Sequence, residues 1–264
     1  MSAFGCAAAP RAILAYYIAG LVEGDFTNYP SILTTVYCDC TKSVQSGSNL
    51  GSTIGTGMFS KLVSSMIQIP PYIYGIIVGL ILGDAWIHFA SKAHKNARLG
   101  FQQSLIHFPY FWSVFTILSP YCSSLPHLKC GSRKGIRFFG VTLQTRSLPC
   151  FTQLYSLFYI DGVKVIPVKL IYDLLTPIAL AHWICCDGST QRSGLELCTD
   201  SYTIQEIVLL MNVLMIKYRL ECTLRYHRPN NTHPRIYIRQ RSMPLLRTIV
   251  FPYMDPSMLN KIHA

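Results

Sequence analysis

Two apolar runs that each end on an aspartate constrain this chain more than any other feature. The first reads Val78-Gly-Leu-Ile-Leu-Gly-Asp84, and the second Ala181-His-Trp-Ile-Cys-Cys-Asp187, followed by Gly188. In the first run Gly75, Gly79 and Gly83 recur at intervals of four, so they share one helical face. Such a stripe lets two helix backbones approach closely. Packing the two helices together sets Asp84 beside Asp187 at their common C-terminal ends. Two carboxylates there repel each other and the negative ends of both helix dipoles, so the arrangement needs compensation. A divalent cation supplies it, and Mg²⁺ takes a few carboxylates together with phosphate oxygens. The competing reading is that each acid merely ends a helix at the surface; the repeated context weighs against it.

The surroundings of the two runs repeat as well. Residues 1–71 form an apolar start and a Ser/Thr/Gly-rich linker, Thr41 to Ser60, closed by Pro70-Pro71. In the half spanning 72–168, a helix over Tyr72–Gly83 is followed by strands over Asp84–Ala90 and Arg98–Ile106. A helix over Tyr110–Ser119 comes next. Then come a hairpin of His127–Cys130 and Ile136–Thr145 around Gly131-Ser-Arg-Lys-Gly135, and a helix over Phe151–Tyr159. In the half spanning 169–264, a helix over Thr176–Cys186 precedes a strand at Leu195–Thr199. The helix Ile204–Lys217 follows, with Thr203 and Glu206 spaced as a capping box. A hairpin of Tyr218–Arg228 and Arg235–Arg241 and a short helix, Leu245–Phe251, complete it. The order recurs, which marks an internal repeat.

Charge narrows the partner. The formal net charge is +11 although only 13% of residues are charged. No acid occurs from Ala85 to Ile160, where Lys92, Lys95, Arg98, Lys129, Arg133, Lys134, Arg137 and Arg146 all fall. A second basic stretch, Lys217 to Arg247, holds Glu221 as its only acid. One-signed charge interleaved with Tyr, Phe and Gln suits strands facing a polyanionic duplex. An anionic membrane is the alternative, since mean hydropathy is +0.31. A spanning helix needs roughly 18–20 apolar residues, however. Ile73–Gly83 stops at Asp84, and Ile207–Ile216 stops at Lys217. The first 24 residues, interrupted only by Arg11 and Glu23, remain open to a signal or anchor reading. The ten cysteines include no C-x-x-C pair, which favours a reduced compartment. Cys38 and Cys40, with a distant His, are a weak zinc alternative.

These motifs resemble the LAGLIDADG family of homing endonucleases, and more narrowly its single-chain, omega-intron type. Tyr74 to Ile87 is similar to the first motif and Leu174 to Gly188 to the second. Lys164-Val-Ile-Pro167 and Phe251 to Ile262 are similar to flanking segments, so the resemblance covers about residues 72 to 262. It implies an α+β fold of two αββαββα units related by a pseudo-twofold, with antiparallel, saddle-shaped sheets over a DNA major groove. It implies that Asp84 and Asp187 hold Mg²⁺ or Mn²⁺. By the same resemblance Lys164 and Lys261 are active-site lysines that polarise the attacking water or steady the scissile phosphate; ordinary phosphate contact is the alternative for each. Gln102 or Gln103 falls near the metals. Arg98, Arg133, Lys134, Arg137, Gln144, Arg225, Arg235 and Arg239 are candidate DNA contacts, with base readers and phosphate contacts not told apart. Two positions depart from the pattern. His182 stands where a small residue is usual, and Cys186 where a second acid is frequent. Upstream, Tyr17-Ile-Ala-Gly-Leu-Val-Glu-Gly-Asp25 is itself LAGLIDADG-like, but too little chain follows it for a further unit; it reads as a remnant or as an ordinary buried helix.

The leading expectation is therefore a monomeric, divalent-metal-dependent enzyme that makes a staggered double-strand cut at a specific DNA site in intron homing. The alternative is a group I intron maturase that binds RNA without cutting DNA. A third class, a basic membrane-associated protein, is disfavoured by the short apolar runs. The resemblance also implies a mitochondrial location, since intron-encoded relatives are commonly organellar.

Overall fold

In the computed structural model the described residues are 51–91, 95–133, 136–191, 193–226 and 234–262. The Tyr17–Asp25 segment, Cys38, Cys40, Lys92 and Lys134 lie outside them. Among the described residues no helix is long and apolar enough to cross a membrane.

Helices α1 (Lys61–Met66) and α2 (Pro71–Leu82) come first. Pro71 at the first helical position starts α2, where its missing N–H costs nothing. Gly83 ends it, its N–H donating to the carbonyls of Gly79 and Leu80. Strands β1 (Trp86–Phe89) and β2 (Ala97–Ser104), helix α3 (Phe108–Leu118) and strands β3 (His127–Arg133) and β4 (Ile136–Gln144) follow, then helix α4 (Pro149–Phe158). Two short strands, β5 (Tyr159–Ile160) and β6 (Val163–Lys164), lead to α5 (Ile171–Leu174) and α6 (Pro177–Asp187). The remainder is β7 (Gly188–Gln191), β8 (Gly194–Leu197), α7 (Ile204–Tyr218), β9 (Cys222–Arg225), β10 (Arg235–Ile238) and α8 (Met243–Val250).

The strands form two four-stranded sheets of the same order, β1-β2-β4-β3 and β7-β8-β10-β9. Every pairing with a register is antiparallel. The chain thus carries the α+β arrangement twice over. By compactness it divides into two units. One comprises Met58 and the described residues before it with Gln102–Thr145; the other comprises Phe59–Phe101 and the chain from Arg146 on. In the first, α3 packs on β4, and Phe111, Val114 and Leu118 of α3 and Val141 and Leu143 of β4 are buried. The Thr53 hydroxyl donates to the Cys122 carbonyl at 2.7 Å, tying the 51–58 segment to this unit. In the second, α2 and α6 pack along their lengths, α7 covers β9 and β10, and α4 lies on β1.

Several boundaries differ from the sequence expectation for local reasons. Strand β2 stops at Ser104, not Ile106, because the Ser104 hydroxyl caps a 3₁₀ turn by accepting from Ile106 N–H. Strand β3 runs on through Gly131-Ser-Arg133, and the ladder pairs Arg133 with Ile136. Tyr218 ends helix α7 instead of opening a strand. Arg219 takes the left-handed conformation at φ 54°, and pairing resumes at Cys222. The Arg235 strand ends at Ile238, with a 3₁₀ turn over Gln240–Ser242. Gly188–Gln191 forms a strand, paired antiparallel with β8, where the sequence pattern predicts none.

The α2–α6 seam is apolar. Ile76, Ile77, Leu80, Ile81, Trp183 and Ile184 are fully buried. Apolar side chains therefore surround both helices, as expected of rods inside a core. At 12 residues α2 is about 18 Å long, well short of a bilayer. His182 is buried in this seam, and burial pushes its pKa down to about 4, with Asp255 opposing. Unfolded histidine titrates near 6.5, so the unfolded chain takes up the proton first as pH falls. His182 thus contributes full stability above pH 6.5, progressively lost down to pH 4. The difference in melting temperature between wild type and His182→Met should change by several degrees across that window. A constant difference would mean that His182 does not titrate as described.

Candidate active site

The glycine stripe of α2 meets α6 directly. A Cβ at Gly75 would lie 2.5 Å from Ile178 Cγ2, one at Gly79 2.3 Å from the Ala179 carbonyl oxygen, and one at Gly83 2.4 Å from Cys186 Cβ. At Gly83 the same probe lies 3.5 Å from Asp187 Oδ2. The close seam thus delivers the Asp187 carboxylate to the end of α2, next to the backbone that carries Asp84. Asp84 is exposed and Asp187 half-buried. Burial pushes the Asp187 carboxyl up to about 7, and the charge on Asp84 adds to this; Lys164 and Lys261 act against it.

Both lysines arrive at helix ends. Lys164 Nζ donates to the Gly83 carbonyl at 3.1 Å. Lys261 Nζ donates to the Cys185 and Cys186 carbonyls at 2.5 and 3.2 Å. Each ammonium thus satisfies carbonyls left open at a helix C-terminus and meets the negative end of its dipole. Desolvation lowers the Lys164 pKa, while Asp187, Cys186 and Asp84 oppose it. The four residues named from sequence are brought together, within one compact unit.

Four further features position this cluster. Tyr202 Oη donates to the Leu82 carbonyl at 2.9 Å, closing another open carbonyl of α2. Glu206 accepts from Thr203 N–H in the capping box and, through its other oxygen, from Ile166 N–H at 2.7 Å, pinning the segment beyond Lys164. Lys164 itself stands on a hairpin whose turn, Asp161-Gly162, has both residues at positive φ. Thr190 Oγ1 donates to the Asn260 and Lys261 carbonyls, and Arg247 Nε to the Ile262 carbonyl at 2.6 Å, fixing the Lys261 turn. Only the capping box and the Asp-Gly turn carry a local signal; the rest are contacts between residues far apart in sequence.

The donor set suits a hard divalent ion. Two carboxylates converge where burial and mutual repulsion keep Asp187 protonated to unusually high pH, which a bound cation would relieve. No group of three or more His, Cys, Asp or Glu is arranged for a metal among the described residues. The rest of such an ion's shell would be water or phosphate.

The candidate DNA contacts separate into distinct environments. Arg98 Nε donates to His88 Nε2 at 3.1 Å on the face of the first sheet where Trp86 lies over Gly100. Arg137 and Gln144 are separated by an odd number of steps along β4, so they project from opposite faces. Arg133 lies at the end of β3. Gln103 is buried, and Gln102 sits beside Gly140. In the second sheet Arg225 stacks on Tyr237, 3.2 Å from its ring centroid. Arg235 pairs with Glu196 and Asp200. Arg239 lies 3.9 Å from Glu221, which also pairs with Arg241.

Comparison with known proteins agrees with this architecture. Residues 74–246 match the LAGLIDADG DNA endonuclease family, and the chain belongs to that family. It is 34% identical over 201 residues to the cytochrome b mRNA maturase bI2 of Saccharomyces cerevisiae. That match covers 72% of this chain and 47% of the yeast protein, so the chain spans less than half of that relative. It is 36% identical over 126 residues to the intron-encoded endonuclease ai4 of Dictyostelium discoideum, covering 48% of this chain and 77% of that protein. The solved structure of the homing endonuclease I-WcaI bound to its DNA recognition sequence is similar at a TM-score of 0.71 and 26% identity. It covers 81% of this chain and 98% of that one.

Proposed function

We propose that the protein is a site-specific endonuclease of double-stranded DNA that acts in intron homing through divalent-metal-assisted hydrolysis. The observation that carries this reading is the convergence of Asp84 and Asp187 at the joined ends of α2 and α6, with a lysine on each helix end. Its likeness to a DNA-bound homing endonuclease supports the choice of substrate.

Asp84 and Asp187 are the residues that would hold the ion, which when bound supplies a Lewis acid and a water of lowered pKa. Lys164 and Lys261, anchored on helix-end carbonyls, point positive charge at the same place. They lower the energy of the charge that develops on the scissile phosphate without having to reorganise. Arginines of the strands hold the duplex, most of them against phosphate. The 72–168 and 169–264 halves each bring one acid and one lysine, so each half attends to one strand. The enzyme acts as a monomer, and its kinship with a cytochrome b mRNA maturase favours a mitochondrial site.

Incubation of the full chain with Mg²⁺ and duplexes spanning candidate intron-insertion sites should give a staggered double-strand cut. EDTA should abolish the cut, and Mn²⁺ should restore it. Failure to cut any such duplex, combined with tight and specific binding of a group I intron RNA, would replace this reading. The maturase alternative has its own support in the name of the yeast relative.

A further inference from the structure

The start of helix α7 reaches out of its own half of the chain. Thr203 is the N-cap of α7, and Tyr202 before it and Glu206 in the first turn both bond to the 72–168 half. Tyr202 is 2% exposed, and its Oη donates to the Leu82 carbonyl at 2.9 Å. The next carbonyl, that of Gly83, accepts from Lys164 Nζ at 3.1 Å. The two carbonyls that immediately precede Asp84 are therefore held by one side chain from each half.

Glu206 divides its carboxylate. Oε2 accepts from Thr203 N–H at 2.8 Å and closes the capping box. Oε1 accepts from Ile166 N–H at 2.7 Å, a residue 40 positions earlier. A capping box asks only for the first of these bonds. The second is charge-assisted and short, so it holds the Ile166 peptide firmly. Ile166 lies two residues after Lys164. Between them Val165 N–H donates to the Phe158 carbonyl at 2.8 Å, and Lys164 itself pairs with Tyr159. The backbone on both sides of Lys164 is thus fixed before its long side chain reaches Gly83. That matters because a lysine side chain is otherwise free to adopt many rotamers. The Lys261 turn is supported differently, by Thr190 and Arg247 of its own half.

We propose that Glu206 and Tyr202 are positioning residues for the Asp84–Lys164 pair. Helix α7 carries them from the 169–264 half to set the acid and the lysine that serve one DNA strand, and the Asp187–Lys261 pair does not depend on them. This rests on the endonuclease reading above, in which each half attends to one strand.

The test is cleavage by the full chain, in Mg²⁺, of a plasmid carrying the duplex that wild type cuts, with the rate on each strand read separately. Glu206→Ala should slow one strand about 10- to 100-fold more than the other, on the scale of a small misplacement at a catalytic group. Nicked circles should then accumulate before linear product, while binding of the same duplex in Ca²⁺ stays unchanged. Tyr202→Phe, which removes only the hydroxyl, should slow the same strand. Thr203→Ala is the control. It breaks the capping box, with the usual loss of helix stability, but keeps the bond from Glu206 to Ile166, so it should favour neither strand. Hydrogen exchange at the Ile166 amide should quicken in Glu206→Ala and not in Thr203→Ala. The proposal is overturned if Glu206→Ala slows both strands equally, or if Thr203→Ala reproduces its strand bias, since the residue then acts through helix stability alone. Should Glu206→Ala fail to fold, Tyr202→Phe decides: equal slowing of both strands, or no slowing, overturns the proposal. If wild type cuts no duplex, the endonuclease reading fails and this role fails with it; if wild type cuts and the variants show no strand bias, only the positioning role falls.

Discussion

Replacing Asp187 by Asn should reduce cleavage by about a thousandfold or more, yet make the metal-free protein more heat-resistant at pH 8. The loss follows from its proposed role, on the scale felt when one transition-state stabiliser is removed. The gain follows from electrostatics. Burial, helped by Asp84, pushes the Asp187 carboxyl up to about 7, whereas an unfolded aspartate titrates near 3.8. A raised folded pKa means that the folded state holds its proton longer. The associated stability is therefore full below pH 3.8 and lost as pH rises through 7. At pH 8 the ionised side chain costs the fold about 2–4 kcal/mol, and asparagine removes that cost. The melting temperature of the metal-free variant should then exceed wild type by roughly 4–10 °C at pH 8 and match it near pH 4. Mg²⁺ should stabilise wild type and leave Asp187→Asn little changed, because the ion occupies the charge that asparagine lacks. Its apparent affinity for wild type should also rise with pH up to about 7, as the ion displaces a proton. A variant less stable than wild type at pH 8 in EDTA would mean that the Asp187 carboxylate is stabilised by its surroundings, contrary to this account.

Asp84 and Asp187 were legible in sequence because helix periodicity, a small-residue stripe and a terminal acid are all local, and the stripe says which face must be approached. Lys164 and Lys261 were legible only through family resemblance, since nothing near them states that their ammonium groups reach helix-end carbonyls. The Asp161-Gly162 turn beneath Lys164 is a local hairpin signal, two residues at positive φ. Strand β7 escaped because Gly188-Ser-Thr-Gln191 has no alternating apolar face; it exists by pairing with β8. The Thr190 and Arg247 anchors depend on a C-terminal turn brought back from far along the chain. The state of Arg235 was equally hidden. Composition marked it as a candidate DNA contact in a basic stretch, but its side chain reaches diagonally to a buried glutamate on β8, whose register partner is Tyr237. A basic run therefore located the polar sheet face without telling which of its arginines carry uncompensated charge.

Gly79→Ala, a single added methyl, should cost this protein both stability and cleavage. The case turns on which of two opposed effects is larger. Alanine is the better helix former, which favours the variant by about 1 kcal/mol. Against this, the new Cβ would stand 2.3 Å from the Ala179 carbonyl oxygen and 2.7 Å from His182 Cβ. The first is backbone, fixed by helix α6, and the second is the stem of a fully enclosed ring, so neither can turn aside. Overpacking of this kind costs typically 1–3 kcal/mol and occasionally more, and a backbone clash belongs at the upper end. The net effect is destabilisation by about 2 kcal/mol or more, read as a lower melting temperature. Relief requires α2 to move off α6, and Asp84 rides on the end of α2. A displacement near 1 Å at a catalytic group costs about a hundredfold in rate, so cleavage should fall even at temperatures where the variant remains folded. Gly75→Ala supplies the control. Its nearest neighbour is the Ile178 side chain, which can shift, and it lies two turns from the acids. It should be the milder of the two in both measurements. Equal or reversed severity would show that the seam tolerates separation at Gly79, and that close approach of these two helices is not what sets the acids in place.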